Sequence, residues 1–203
     1  MAVRFYNKTY TKGRMSMNMK GNLTAADPIT DLGKVEEIKE LLRDRPRDYA
    51  LFVVGINTGF RASDLVSFTV GQFRKVKSGG KLTVKERKTG KKRVITVNRA
   101  VYEAVQPLLG VPDRKPLFRN RDGGKLAVES VIRLVKSWCA KVGLSGNFSS
   151  HTLRKTWGYH QRVQFGVDIP TLMEAFGHAS QRQTLTYLCI QPEEIENAYM
   201  NEI

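Results

Sequence analysis

Cysteine, histidine and acidic side chains are all scarce in this chain of 203 residues. Its two cysteines, Cys139 and Cys189, have no CxxC spacing, and its three histidines form no zinc-ligand pattern. The sequence therefore predicts a reduced protein with no metal and no cofactor. No apolar run approaches the roughly 18 residues of a membrane span, and no signal-peptide apolar core follows the basic N-terminus. A cytoplasmic chain without a membrane partner is expected. Only 19 Asp and Glu oppose 34 Lys and Arg, a net charge of +15. An excess of that size builds a positive field that favours a polyanion, with nucleic acid the leading candidate, although ribosomal and membrane-surface proteins share the signature.

What is present reads as globular. Hydrophobic residues make up 41% and charged residues 26%, and the length suits one domain with an arm or small subdomain. Residues 1–25 carry Arg4, Lys8, Lys12, Arg14 and Lys20 and no acid, which reads as a basic arm or as a partly ordered solubilising tail. From Thr30 or Asp31, either of which can cap a helix, Val35, Ile38, Leu41 and Leu42 recur at helical spacing. A second helix follows Pro46 through "DYALFVVGINTG", too apolar for a surface helix, and should end near Gly59.

The stretch "KLTVKERKTGKKRVITV" puts two β-branched runs around a turn and reads as a hairpin. Further helices are expected over 100–109 and 128–142, the latter ended by Gly143, then from near residue 152, over 170–176, and around Tyr187. The expected fold class is mainly α with a small antiparallel β-sheet.

Polar groups with chemical potential fall in four stretches. "NTGFRASDL" puts Arg61 just beyond the end of a buried helix, and the hairpin offers Lys88. "HTLRKTWG" starts a helix with His151 and Arg154, three apart and so on one face, and "FGHASQRQTLTYL" sets His178 and Tyr187 nine residues apart. Each taken alone has an ordinary explanation: Arg61 a surface charge, Lys88 one basic hairpin residue among many, His178 a helix cap, and Tyr187 a core tyrosine with its hydroxyl at the rim.

Taken in order, these stretches resemble the catalytic domain of the tyrosine recombinases, the phage-integrase family. "TGFRASDL" matches the family's first arginine box, "KTGKKR" its hairpin lysine, "HTLR" its second box, and "FGHAS" followed by "TLTYL" its histidine and nucleophile. The resemblance covers about residues 30–190. It implies that Tyr187 attacks a backbone phosphate to give a 3′-phosphotyrosine and a free 5′-hydroxyl. Arg61 and Arg154 would grip the non-bridging oxygens, Lys88 would protonate the leaving oxygen, His151 would move the tyrosine's proton and His178 would hydrogen-bond the phosphate. Asp64 would brace the arginine.

These choices have a physical basis. A phosphodiester repels nucleophiles, and guanidinium forks bind its oxygens bidentately. Phenol, with a pKa of about 10, is ionised only about one part in a thousand at neutral pH, so the tyrosine needs a base or a positive field. A covalent tyrosyl link keeps the energy of the broken bond, so religation needs neither ATP nor a metal.

The resemblance also implies double-stranded DNA as partner, contacted by Lys85, Arg87, Lys91, Lys92 and Arg93 of the hairpin, a homo-tetramer on two duplexes, and DNA-bending accessory proteins. Lys85, Lys91 and Lys92 lie close enough to Lys88 to be mistaken for it. Only about 30 residues precede the first helix, where many members carry a further helical domain, so a naturally short recombinase or a catalytic fragment is expected. A catalytic domain over 26–203 would end in a tail over 188–203. There Glu193, Glu194, Glu196 and Glu202 are unsuited to DNA, while Ile195, Ala198, Tyr199 and Ile203 suit one helix face that packs on a neighbouring protomer or in cis. Integration, excision or inversion is the expected activity. Type IB topoisomerase-like relaxation and a catalytically silent DNA-binding regulator on the same fold are the alternatives.

Overall fold

The computed structural model describes residues 26–88, 90–188, 199, 200 and 202. The arm over 1–25 and most of the tail over 188–203 lie outside the described residues. Asp31, not Thr30, caps the first helix α1 (Leu32–Leu41), its carboxylate accepting from the Gly33 and Lys34 amides at 2.7 and 3.3 Å. Pro46 opens α2 (Pro46–Thr58), where its missing N–H leaves no bond unmade, and Gly59 closes it at φ +59°, a left-handed conformation natural to glycine. Ala50, Leu51, Phe52, Val53 and Val54 are consecutive and all buried, so α2 is wrapped on every side and forms the axis of the domain.

Two short helices then carry the chain around the C-terminal end of α2. These are α3 (Ala62–Leu65) and α4 (Val70–Arg74), the second started by a capping box between Thr69 and Gln72. Neither is expected from the sequence, because neither runs long enough to express a helical period. The hairpin pairs β1 (Lys81–Lys85) with β2 (Lys92–Thr96) in antiparallel register, Lys85 opposite Lys92 and Val84 opposite Arg93. This is the fold class read from the sequence, a mostly helical domain with one two-stranded sheet.

After the hairpin come α5 (Arg99–Val105) and a single 3-10 turn over Gln106–Leu108. The break within the expected 100–109 helix falls at Pro107, which cannot donate to a carbonyl one turn back. Then α6 (Val128–Lys141), α7 (Thr152–Val163), α8 (Ile169–Phe176) and α9 (Gln181–Leu188) complete the described chain.

Helix α7 stands between two cores. On one side Leu153 joins the main core and packs on Gly55 of α2, where a Cβ would collide with it. On the other, Gly158 lets Phe176 and Leu188 approach, and with Leu172, Trp157, Tyr159 and Tyr187 they form a smaller cluster. Long-range hydrogen bonds fix α7 further: Thr156 Oγ1 accepts from the Ile29 amide at 2.8 Å, and His160 Nε2 donates to the Ile29 carbonyl at 2.9 Å. The chain thus builds a rigid main body and hangs α8 and α9 on the far face of α7.

Candidate active site

The C-terminal end of α2 gathers the cations. Helix ends leave carbonyls without intrahelical partners and carry a partial negative charge. Arg93 Nη2 donates to the Thr58 carbonyl at 2.8 Å and its Nη1 to that of Gly59 at 3.4 Å. Arg154 Nη1 also donates to the Gly59 carbonyl, while its Nη2 reaches that of Phe176, the last residue of α8, at 2.7 Å. Both guanidinium groups also cover aromatic rings, Arg93 over Phe60 at 4.5 Å and Arg154 over Phe176 at 4.6 Å. Burial lowers the pKa of both, that of Arg154 to about 10 against the raising influence of Tyr187, so each remains a cation at neutral pH.

Arg61, at the N-cap of α3, completes the group, and its ion-pair partner is not the one expected. Arg61 Nη1 donates to Glu86 Oε2 at 2.8 Å, and Arg93 Nη1 lies 3.9 Å from Glu86 Oε1. Asp64 is wholly buried and instead accepts from the Arg87 amide at 2.8 Å, tying the hairpin to α3. Glu86, one residue past β1 and also buried, is the carboxylate that holds two arginines. The sequence reading missed it; the only signal was one acid in a hairpin otherwise crowded with bases.

Arg93 is a second correction. Expected to face DNA with the other hairpin bases, its side chain is only 14% exposed and turns under the sheet with Ile95. The run "KRVIT" alternates poorly by polarity, and it is Val94 that points outward. Lys85, Arg87, Lys88, Lys91 and Lys92 are exposed, with Lys85 and Lys92 paired across the outer face.

The remaining residues meet around one ring. Beyond α8, Gly177 turns left-handed and the chain reverses into α9, so His178 and Tyr187 both return to Phe176, at ring separations of 5.0 and 5.2 Å. This reversal accounts for the nine-residue interval. His178 Nδ1 lies 3.0 Å from Thr184 Oγ1, and burial, then the charges of Arg154 and Arg61, pushes its pKa down to about 4. His151, at the N-cap of α7, lies with Nδ1 3.3 Å from the Tyr187 hydroxyl. Its pKa is lowered by burial first, then by Arg154, Lys155, Arg61 and Lys88, so the imidazole is neutral at pH 7 and able to accept a proton. Lys88 sits exposed in the hairpin turn, and its charge bears on His151 across the site. Lys155, which the sequence reading did not single out, is buried with Nζ 4.9 Å from the centre of the Tyr187 ring.

Chemically, the arrangement offers a hydroxyl beside one neutral imidazole, a second neutral imidazole, and a bank of largely buried cations next to the basic hairpin. Among the described residues no cluster of histidine, cysteine or acids has the make-up of a metal site. Nor, among the described residues, is any helix long and apolar enough to cross a membrane.

The phage integrase family model matches residues 29–194. A probable integrase/recombinase YoeC of Bacillus subtilis is 33% identical over 180 residues, covering 85% of this chain and 94% of that one. Tyrosine recombinase XerC of Caldanaerobacter subterraneus is 31% identical, covering 96% of this chain but 58% of its own length. Among solved structures, the XerA recombinase superposes with a TM-score of 0.69 at 17% identity, over 92% of this chain and 68% of that one. A lambda integrase tetramer bound to a Holliday junction superposes with a TM-score of 0.64 at 16% identity, over 85% of this chain and 50% of that one. At those identities the structural likeness speaks for the fold.

Proposed function

The chain belongs to the phage integrase family, the tyrosine recombinases, and from that premise we propose that it cleaves and rejoins DNA at specific sites through a phosphotyrosine at Tyr187. The observation that carries the reading is the position of the Tyr187 hydroxyl, 3.3 Å from the neutral His151 of the same chain and within the field of Arg154. The nucleophile is then supplied in cis.

In the first step the Tyr187 oxygen bonds to phosphorus as its proton passes to His151, and the bond from phosphorus to the 5′-oxygen breaks. Lys88 donates a proton to that leaving oxygen. Arg61 and Arg154 neutralise the charge that grows on the non-bridging oxygens, where losing one such donor costs roughly 100-fold to 1,000-fold in rate. For His178 to donate to phosphate from Nε2, its Nδ1 must be the acceptor, and Thr184 Oγ1 at 3.0 Å is the hydroxyl able to supply that bond. Reversal with a different 5′-hydroxyl joins the strand to a new partner.

The exposed Lys85, Arg87, Lys91 and Lys92 would track the phosphate backbone, giving an affinity that falls steeply with salt. The lambda integrase neighbour, solved as a tetramer on a Holliday junction, supports a homo-tetramer for this chain. The test is covalent trapping on nicked duplexes selected from a randomised pool by binding to the protein. Wild type should give an adduct that survives denaturation and Tyr187→Phe none, whereas a protein that binds such DNA without forming an adduct is a regulator. Transfer of the trapped strand to a second duplex separates recombination from relaxation.

A further inference from the structure

Helix α7 places His151 and Lys155 four residues apart, hence on one face, and both meet the same tyrosine. His151 reaches the Tyr187 hydroxyl, while the Lys155 ammonium covers the ring at 4.9 Å. Lys155 is 3% exposed, an unusual fate for a residue whose flexible stem ordinarily carries its charge to water. Its charge is felt locally, since it contributes to the lowered basicity of His151. Among the described residues, the charged or titratable groups that face this corner include Arg154 from α7 and His178 from the turn before α9, while Arg61 and Lys88, from the α3 and hairpin sides, act on His151.

On the reading of Tyr187 as the nucleophile, we propose that Lys155 is its positioning residue: the ammonium on the ring face fixes the ring and favours the ionised phenol. A cation on a neutral aromatic ring is held by the ring quadrupole. When the phenol loses its proton, negative charge spreads from the oxygen into the ring, and the same cation, itself buried, then meets a full opposite charge across the half-buried ring. The interaction is stronger after deprotonation than before, and that difference drives attack. Lys155 takes no proton and makes no bond to phosphate. It acts through Tyr187 alone, complementing His151, which receives the proton.

The test compares Lys155→Met, which keeps length and removes charge, with Lys155→Arg, which keeps charge. Two readouts are taken: the pH profile of adduct formation on the selected nicked duplexes, and the alkaline titration of Tyr187 without DNA. The titration is followed by NMR on protein with carbon-13 in the tyrosine Cζ, the signal being assigned by its loss in Tyr187→Phe. In K155M, adduct formation at pH 7 should fall about 10-fold, the deficit closing as pH rises. The Tyr187 signal should titrate at higher pH than in wild type. K155R should recover most of both. A deficit equal at every pH with the titration unmoved would mean that Lys155 only packs, and the proposal fails. So does a K155R protein that behaves like K155M. Should K155M not fold, Lys155→Gln carries the same two readouts. A wild type that forms no adduct, with the titration still displaced by K155M, overturns the recombinase reading and leaves the effect of Lys155 on the phenol standing.

Discussion

Glu86 offers the sharpest test of the cation cage, because it is the carboxylate bound to Arg61 and facing Arg93. Glu86→Ala removes an acceptor 2.8 Å from Arg61 and a charge 3.9 Å from Arg93, leaving guanidinium groups that repel one another. Breaking a buried ion pair by deleting one partner costs about 3–5 kcal/mol. The two arginine side chains keep 16% and 14% exposure, so the lower end, about 3 kcal/mol, applies. For a domain of this size that is a fall of about 6–12 °C in Tm, read by calorimetry. Losing a negative charge beside the anion site should leave DNA affinity at low salt equal or tighter, yet the unmoored Arg61 should slow adduct formation about 100-fold. Binding and cleavage therefore part company. Glu86→Gln, which retains shape and one acceptor, should fall between. An alanine variant that melts and cleaves like wild type would refute the role of Glu86, as would one that loses binding and cleavage in parallel.

The hairpin's two adjacent bases should behave differently. Lys92→Ala should leave the melting temperature unchanged and reduce the slope of log affinity against log salt by about one, whereas Arg93→Ala should cost about 2–3 kcal/mol of stability through its lost bonds to Thr58, Gly59 and Glu86. Acid should destabilise the fold, because all three histidines have depressed pKa values: His151 and His160 by burial above all, and His178 to about 4. The unfolded chain binds protons at the ordinary imidazole value of 6.5 and the folded chain only lower down. Stability from His178 is thus fully present above pH 6.5 and lost as pH falls toward about 4. Melting temperature across that window should decline in wild type and decline less in His178→Asn; a flat wild-type curve would contradict the depressed values.

Much of this molecule was legible because local chemistry punctuates it. Pro46 and Gly59 bound α2, Asp31 starts α1, and the hairpin turn sits between two β-branched runs, each a decision made within a few residues. The order of Arg61, Lys88, His151, Arg154, His178 and Tyr187 was equally plain from motifs. What escaped depends on contacts between distant residues. Glu86 meets Arg61 across 25 positions, and Lys155 meets a ring on another helix. Arg93 turns inward because the strand's register sets it opposite the buried Val84, a fact that no inspection of "KRVIT" alone supplies.

The remaining puzzle is how one small domain tolerates Arg61, Arg93 and Arg154 in a single corner, where Arg61 and Arg93 each lower the pKa of Arg154. Desolvation and mutual repulsion both oppose such a cluster. Fixed dipoles and one carboxylate offset them: the carbonyls that end α2, the carbonyl that ends α8, and Glu86. Arg154 also spans the two cores, bonded at once to Gly59 in the main body and to Phe176 at the end of α8. Together with the apolar packing at Gly158, its bonds hold α8, and with it α9 and Tyr187, against the cation bank. The leftover repulsion is not a defect. Groups already oriented and only partly neutralised need no reorganisation when negative charge grows among them, so the repulsion among the three arginines is relieved when an anion enters. On the proposed reading that anion is a phosphate oxygen brought in by the basic hairpin, and its charge would be greatest as the Tyr187 oxygen bonds to phosphorus.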